Sequence, residues 1–321
     1  MIPTLFGITL VTFFIIQLAP GDPASLKAQS GDEALKSDAM VQSIVDDTRK
    51  LYGLDEPLHI QYASWLKRLF TLDFGYSYRD HRPVLEKIAD ALPITLTLNI
   101  LTIIIIYLIS VPLGAYTALK ARGFADRFSA MILFVLYSLP SFWVAMMLIA
   151  TLGGEQLNWF PIAGFISDGA EGLSWPARFA NIAWHLFLPV LCLTYAGFAF
   201  LARFTRSSVL EVIRQDYIKT ARAKGLSEWK IMTKHVMRNS LIPLLTLMGT
   251  LLPALLGGSV IIEQIFSIPG MGKLGFESVL ARDYPVIMAI ATISACLTLL
   301  SILLTDLLYV MVDPRISFKK N

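Results

Sequence analysis

Charge is scarce in this sequence. Only 16% of its 321 residues are Asp, Glu, Lys or Arg, against about 25% in a soluble domain. With 55% hydrophobic residues and a mean hydropathy of +0.62, a soluble fold is disfavoured. Cysteine is nearly missing as well. Cys192 and Cys296 both lie in apolar runs without CxxC spacing, which leaves neither a disulfide framework nor a metal site. They read as small buried apolar residues. The four histidines, His59, His81, His185 and His235, are scattered, and there is no HExxH, no GxSxG and no clustered Ser/His/Asp set, so no catalytic constellation is present. A GxxxxGK[ST] loop is also lacking. Gly270-Met271-Gly272-Lys273-Leu274 has neither its spacing nor its hydroxyl and reads as an outward-facing turn. No excess of one charge sign exists, because the net charge is +3 and the basic residues cluster between apolar runs, which excludes nucleic-acid binding.

What is abundant is long apolar sequence, and about 20 such residues make one span. The first run, 1–18, ends in Ala19-Pro20-Gly21-Asp22-Pro23. It lacks the basic start and small-residue cleavage site of a signal peptide, so an uncleaved first span is expected. A polar stretch follows from Gly21 to Leu92, too long for a simple connection. Within it Leu58, Tyr62, Leu66 and Leu69 recur at helical spacing after Pro57, and Pro83 opens a second short helix carrying Val84 and Ile88. Further spans are expected at Pro93 to Leu119, Ala130 to Leu152, His185 to Ala202, Leu241 to Ile262 and Val286 to Val312, with a turn-rich segment from Phe266 to Tyr284. Trp159, Trp175 and Trp184 precede the fourth span at positions suited to the membrane interface. The reading is an all-α integral membrane protein of six transmembrane helices with a small helical extracytoplasmic subdomain between helices 1 and 2: 1–19 is the first span, 20–92 the subdomain, and 93–321 the core.

Orientation follows from basic residues in short loops, which stay cytoplasmic. The loop between spans four and five holds nine of them, whereas the loop between spans three and four holds only Arg178 and that between five and six Lys273 and Arg282. Both termini are then cytoplasmic and 20–92 lies outside; the basic residues of that segment do not object, because long domains translocate largely regardless of charge.

The basic loop, 206–240, is too patterned for disorder. Val209, Ile213, Tyr217 and Ala221 mark one helical face, and Trp229, Met232 and Val236 mark a second stripe. Gly225 falls at a left-handed helix end, and Ser227 with Glu228 can start the next helix. That short amphipathic helix has two readings. Lys230, Lys234 and Arg238 suit an interfacial helix on anionic lipid, and the apolar stripe suits insertion into a groove on a soluble partner. Periodicity leaves both open.

The residues themselves resemble a known family. Asp216-Tyr217-Ile218-Lys219-Thr220-Ala221-Arg222-Ala223-Lys224-Gly225-Leu226, followed by His235-Val236-Met237-Arg238-Asn239-Ser240-Leu241-Ile242-Pro243, resembles the EAA-type loop of ABC importer permeases, with Thr220-Ala221-Arg222 at the Glu-Ala-Ala position, as is usual in the dipeptide/oligopeptide branch. Ala19 to Pro23, Tyr52 to Asp55, Asp73-Phe74-Gly75-Tyr76-Ser77 and Pro83-Val84 resemble the first half of the B-type permease of that branch. Glu263 to Gly272, Arg282-Asp283-Tyr284-Pro285, Asp306 and Asp313 to Ile316 continue the match in order and spacing. Members carry a basic pair before the first span, which this sequence lacks, so a late start codon or a shortened chain is expected.

The resemblance implies a type I ABC importer permease fold in a bacterial cytoplasmic membrane. It implies a second homologous permease, two cytoplasmic ATPases that bind ATP and Mg, an extracytoplasmic solute-binding protein, a di- or oligopeptide cargo, and contact with membrane lipid. This subunit is then not an enzyme and carries no cofactor of its own. It places ATPase coupling on Ala221, Arg222, Ala223, Lys224, Gly225, Leu226, Ser227, Glu228, Trp229 and Lys230, with Trp229 as an apolar anchor. Polar residues inside spans are candidates for the translocation path: Asn99, Ser138, Ser141 and Glu263. Asn99 and Asp306 also fit helix–helix hydrogen bonding, and Gly249, Gly257, Gly258 and Ser259 fit close helix approach. Pro112, Pro140, Pro189 and Pro253 are candidate kinks. The same architecture serves nickel, glutathione or other small solutes, which the sequence does not separate from peptides. A stand-alone secondary transporter would show inverted repeats, and none is evident.

Overall fold

A computed structural model describes residues 2–18, 42–43, 45–47, 49–50, 53–153, 157–251 and 257–312. Ala19 to Pro23, Tyr52, Pro253 and Asp313 to Ile316, the surroundings of Gly249 and the side chain of Asp306 lie outside what is described. The elements are α1 (Ile2–Leu18), α2 (Leu58–Phe70), α3 (Val84–Leu119), α4 (Phe124–Ser138), α5 (Ser141–Leu148) with a π turn Ile149–Gly153, α6 (Trp175–Ile213), α7 (Asp216–Ala223), α8 (Glu228–Lys230), a π-helical stretch Ile231–Met237, α9 (Arg238–Leu251), α10 (Val260–Ile265), α11 (Met271–Leu280) and α12 (Tyr284–Val312). Among the described residues the extended pairing is one isolated bridge between Tyr76 and Pro83.

Three helices, α3, α6 and α12, are long and apolar enough to cross a membrane, and α4 with α5 adds a fourth apolar pair bent by 90°. The chain is a multi-pass membrane protein. The 17 residues of α1 are apolar but short, and residues 252–256, inside the fifth expected span, lie outside the described set. The helix expected to be short after Pro83 instead runs 36 residues, straight through Pro93 and Pro112. The 266–284 segment is likewise more regular than expected, since Gly270 starts α11 with its carbonyl accepting Leu274 N–H at 2.9 Å. Gly-Met-Gly reads as a turn from composition, but Met271 and Leu274 pack on α3 and α12, and that burial overrides glycine's weak helix propensity.

The chain forms two compact units. The first comprises Met1–Pro93 and Gly270–Leu299. Its core joins Val84, Ile88 and Ala91 of α3 to Met271, Val286 and Ala289. A second cluster joins Phe13 of α1 with Tyr62 of α2 and Met288, and the Thr9 and Tyr62 hydroxyls meet at 3.1 Å. The loop before α3 is pinned by Asp283, whose carboxylate accepts the Ser77 hydroxyl and, at 2.9 Å, the Tyr78 N–H. Lys87 reaches Ser77 Oγ at 3.1 Å and Asp80 at 2.8 Å. Cys296 is exposed on α12. This corrects the expectation of burial: in a membrane protein an apolar run need not face the protein interior.

The second unit comprises Ile94–Pro269 and Leu300–Asn321. Its core gathers Leu98, Ala145, Leu186, Leu188, Cys192, Ile262 and Phe266. The α4–α5 break falls at Leu139-Pro140, where a helix ends because proline lacks an N–H and its ring disfavours helical geometry in the residue before it. The freed Leu139 carbonyl is satisfied by the Tyr195 hydroxyl of α6 at 2.7 Å. Pro189, by contrast, sits inside α6 without ending it. Helices α3 and α6 meet at Gly114, where a Cβ would lie 2.5 Å from the Ala202 carbonyl oxygen, so only glycine permits the approach.

Candidate functional site

The polar hairpin begins where α6 ends. Arg214 and Gln215 interrupt the helix, their N–H groups bonding to the Glu211 and Val212 carbonyls, and Gln215 adopts extended geometry ahead of α7. The interruption resets the helical phase. Ile218, fully buried, replaces Tyr217 on the inner face, and Tyr217 is exposed. The face predicted through Val209, Ile213, Tyr217 and Ala221 is therefore corrected at Tyr217, whose hydroxyl instead accepts Asn239 Nδ2 at 3.0 Å.

Helix α7 ends in a Schellman cap. The Leu226 N–H bonds to the Ala221 carbonyl at 3.3 Å, and the Gly225 N–H to Arg222 at 2.9 Å, with Gly225 at φ +75°. Side chains other than glycine pay about 1–2 kcal/mol for that left-handed conformation. Ser227 occupies the N-cap position of the next helix, but its side chain makes no capping bond. The turn is bridged instead by Arg222, whose Nε and Nη2 donate to the two Glu228 carboxylate oxygens at 2.8 and 3.2 Å. This pairing lowers the Glu228 pKa and raises that of Arg222. Because the pair is exposed, its contribution to stability is small.

From Glu228 the chain stays helical without a break to Leu251, so the expected short separate helix is the start of the helix that continues as α9. Its first part is π-helical, and i→i+5 geometry brings residues five apart onto one face. Ile231 and Val236 are buried with Val209, Ile218 and Ala118, Ser240 follows on the same side, and Trp229 points away at 76% exposure. The predicted stripe Trp229, Met232 and Val236 is corrected at Trp229 alone, since Val236 is buried and Met232 packs against the same cluster. Each fully buried Ile or Val here contributes about 1.5–3 kcal/mol. The Ser208 hydroxyl adds a tie to the Ser240 carbonyl at 3.0 Å. Of the ten residues predicted for coupling, Ala221 is buried and holds the hairpin, and the other nine are exposed together around the turn. Trp229, Leu226 and Tyr217 leave apolar side chains exposed on this polar segment.

The four predicted path residues lie on four different helices, α3, α4, α5 and α10. Ser138 and Ser141 stand on either side of the α4–α5 bend, Ser138 exposed and donating to the Phe134 carbonyl at 2.8 Å. Glu263 is buried, and its Oε1 accepts Thr95 Oγ1 at 3.2 Å and the Ser259 N–H at 3.3 Å. Asn99 is half-buried, one turn along α3 from Thr95. Sequence reasoning missed Thr95 as the partner of Glu263. It also missed a bidentate pair in which Arg206 Nε and Nη2 meet the two Asp126 oxygens at 2.6 and 2.7 Å, with the Arg122 N–H adding a third bond at 2.8 Å. Both pairings join residues remote in sequence, and no local pattern encodes them. Among the described residues no group of three or more His, Cys, Asp or Glu could hold a metal.

These features can be set beside known proteins. Residues 110–318 match the family described as binding-protein-dependent transport system inner membrane component, and residues 1–99 match its N-terminal membrane component. The chain is 40% identical to the oligopeptide transport system permease protein AppB of Bacillus subtilis (strain 168), over 99% of this chain and 96% of that protein. It is 38% identical to the dipeptide transport system permease protein DppB of Alkalihalophilus pseudofirmus, over 99% and 97% of the two chains. To the inner membrane ABC transporter permease protein YejB of Escherichia coli O157:H7 it is 34% identical, over 99% and 96%. A multi-pass helical chain with a buttressed polar hairpin, matched along nearly its whole length, belongs to the family of inner membrane components of binding-protein-dependent transport systems.

Proposed function

We propose that this chain is one permease subunit of an ATP-binding-cassette importer of di- or oligopeptides, lining the translocation path beside a second homologous permease. Two cytoplasmic ATPases bind ATP and Mg, grip the exposed surface 222–230, and drive the subunit between inward-open and outward-open states. An extracytoplasmic binding protein delivers the cargo. The peptide cargo is supported by the names of full-length relatives. Six spans, cytoplasmic termini, an outward-facing segment 20–92 and a core over 93–321 complete the reading, supported by the basic loop composition.

The observation that carries the coupling assignment is Trp229, 76% exposed on a hairpin whose inner face is packed. ATP can bias a two-state permease only through contacts that differ between its states. Such contacts transmit motion only if the contacted element is rigidly joined to the spans. Ile218, Ile231 and Val236 supply that joint, and the helix that starts at Glu228 runs unbroken to Leu251, joining Trp229 to α9. Asn99, Ser138, Ser141 and Glu263 are offered as path residues.

The test is purification of the assembled complex with Trp229→Ala. Loss of substrate-stimulated ATP hydrolysis, with the chain still folded, is the expected result. Unchanged stimulation and unchanged ATPase recovery would sink the assignment.

A further inference from the structure

We infer that the groove between α4 and α6 is a specific site for an anionic phospholipid. The helices cross antiparallel, with Leu133 packed on Ala199 and Ala202. At the end of the crossing nearest the α3–α4 connection lies a cavity of about 390 Å³ lined by Asp126, Arg127, Ser129, Arg203, Arg206 and Ser207, among others. Three guanidiniums face one carboxylate there, and Asp126 is already engaged by both of its bonds from Arg206. Arg127 and Arg203 are exposed and form no salt bridge among the described residues. The lining therefore carries a net charge of +2 (three Arg, one Asp), and Ser129 and Ser207 offer hydroxyl donors beside it.

Arg203 also lines a second cavity, of about 290 Å³, otherwise formed by Tyr137, Ala199, Phe200 and Phe204. Phe200 and Phe204 stack there with centroids 6.2 Å apart, and Tyr137 and Phe200 are 62% and 51% exposed. From Ala130 to Tyr137 the α4 axis rises about 10 Å. A cationic, hydroxyl-bearing end and an apolar, aromatic continuation meet at one arginine. A phosphate head on Arg127 and Arg203 with its acyl chain along Tyr137, Phe200 and Phe204 satisfies both halves, whereas a free phosphate leaves the aromatic half exposed. Basic pockets between transmembrane helices bind anionic headgroups on this principle. The site is separate from the hairpin surface proposed for ATPase contact, so either assignment can fail alone.

The test is native mass spectrometry on the purified full chain and on the chain within its isolated complex. The probes are dioleoyl phosphatidylglycerol, dioleoyl phosphatidylcholine and glycerol 1-phosphate. The wild type is expected to retain phosphatidylglycerol in preference to phosphatidylcholine, and excess glycerol 1-phosphate is expected to leave it in place. At about fivefold per arginine near an anionic headgroup, the Arg127→Gln/Arg203→Gln variant should bind phosphatidylglycerol roughly thirtyfold more weakly. Arg206 is left intact so that Asp126 keeps its partner, and circular dichroism checks the fold. The proposal is overturned by a variant that keeps the preference, by displacement with glycerol 1-phosphate alone, or by no preference in the wild type. Loss of the adduct only within the complex would also overturn it, because a protein surface would then cover the groove.

Discussion

Arg206 of α6 grips Asp126 of α4 through two hydrogen bonds of 2.6 and 2.7 Å across 80 positions of sequence, with Asp126 6% exposed. The pair fixes the first turn of α4 against the side of α6, and the Arg122 N–H adds a third bond to the same carboxylate.

Removing one partner is expected to cost more than removing both. Asp126→Leu leaves a part-buried guanidinium uncompensated and should destabilise the detergent-solubilised chain by about 1–3 kcal/mol, below the cost of breaking a fully buried pair because Arg206 keeps some solvent contact. The Asp126→Leu/Arg206→Leu chain should recover much of that loss. Thermal melts of the single and double variants, arranged as a double-mutant cycle, measure the coupling.

Trp229 and Ile231, two positions apart, should separate function from stability. Trp229→Ala removes an exposed ring and should change the melting behaviour by less than about 0.5 kcal/mol while weakening recovery of ATPase subunits. Ile231→Ala empties a fully buried site and should cost about 2–5 kcal/mol. Parallel melts and pull-downs distinguish the two.

Gly225 tests the cap. A Cβ built there meets nothing within 4 Å, so the cost of substitution is conformational and not steric. Gly225→Ala should loosen the turn by about 1–2 kcal/mol, and Gly225→Asn, which tolerates the left-handed region, should cost less. Hydrogen exchange at the Gly225 and Leu226 amides reads the difference. Equal protection in the two variants would contradict a backbone origin.

Acid should loosen the loop ahead of α3. Burial pushes the Asp80 carboxyl upward, but hydrogen bonds from Lys87, Ser77 and the Arg82 backbone outweigh it and hold the pKa at about 2. A depressed folded-state pKa contributes stability that is present above the unfolded value near 3.8 and is lost as pH falls through about 2. Discounted for solvent exposure, the loss is about 1 kcal/mol. Melts from pH 5 to pH 2 should show it in the wild type and not in Asp80→Asn.

Local signals were legible in the sequence, and long-range ones were not. Gly225 was readable because a Schellman cap is made by residues within six positions of one another. The apolar runs located α3, α6 and α12 because bilayer thickness sets their length. The inner face of the hairpin was misplaced twice. The interruption at Arg214 and Gln215 reset the helical phase ahead of Ile218, and the π-helical stretch put Ile231 inside with Val236 and Met232, where a 3.6-residue period put Trp229. Glu263 was singled out as an acid within an apolar run, but Thr95 lies 168 positions away and gives no sign of being its partner. Gly114 was passed over because nothing in its neighbourhood announces that the Ala202 carbonyl lies against it.

The right-angled elbow at Leu139-Pro140 sets a length problem for the bilayer around it. At 1.5 Å per residue, the 15 residues of α4 reach about 22 Å, short of the roughly 30 Å hydrocarbon layer. With α5 turned 90° from α4, the depth that α4 does not reach falls to α5, to thinned lipid or to a neighbouring protein wall.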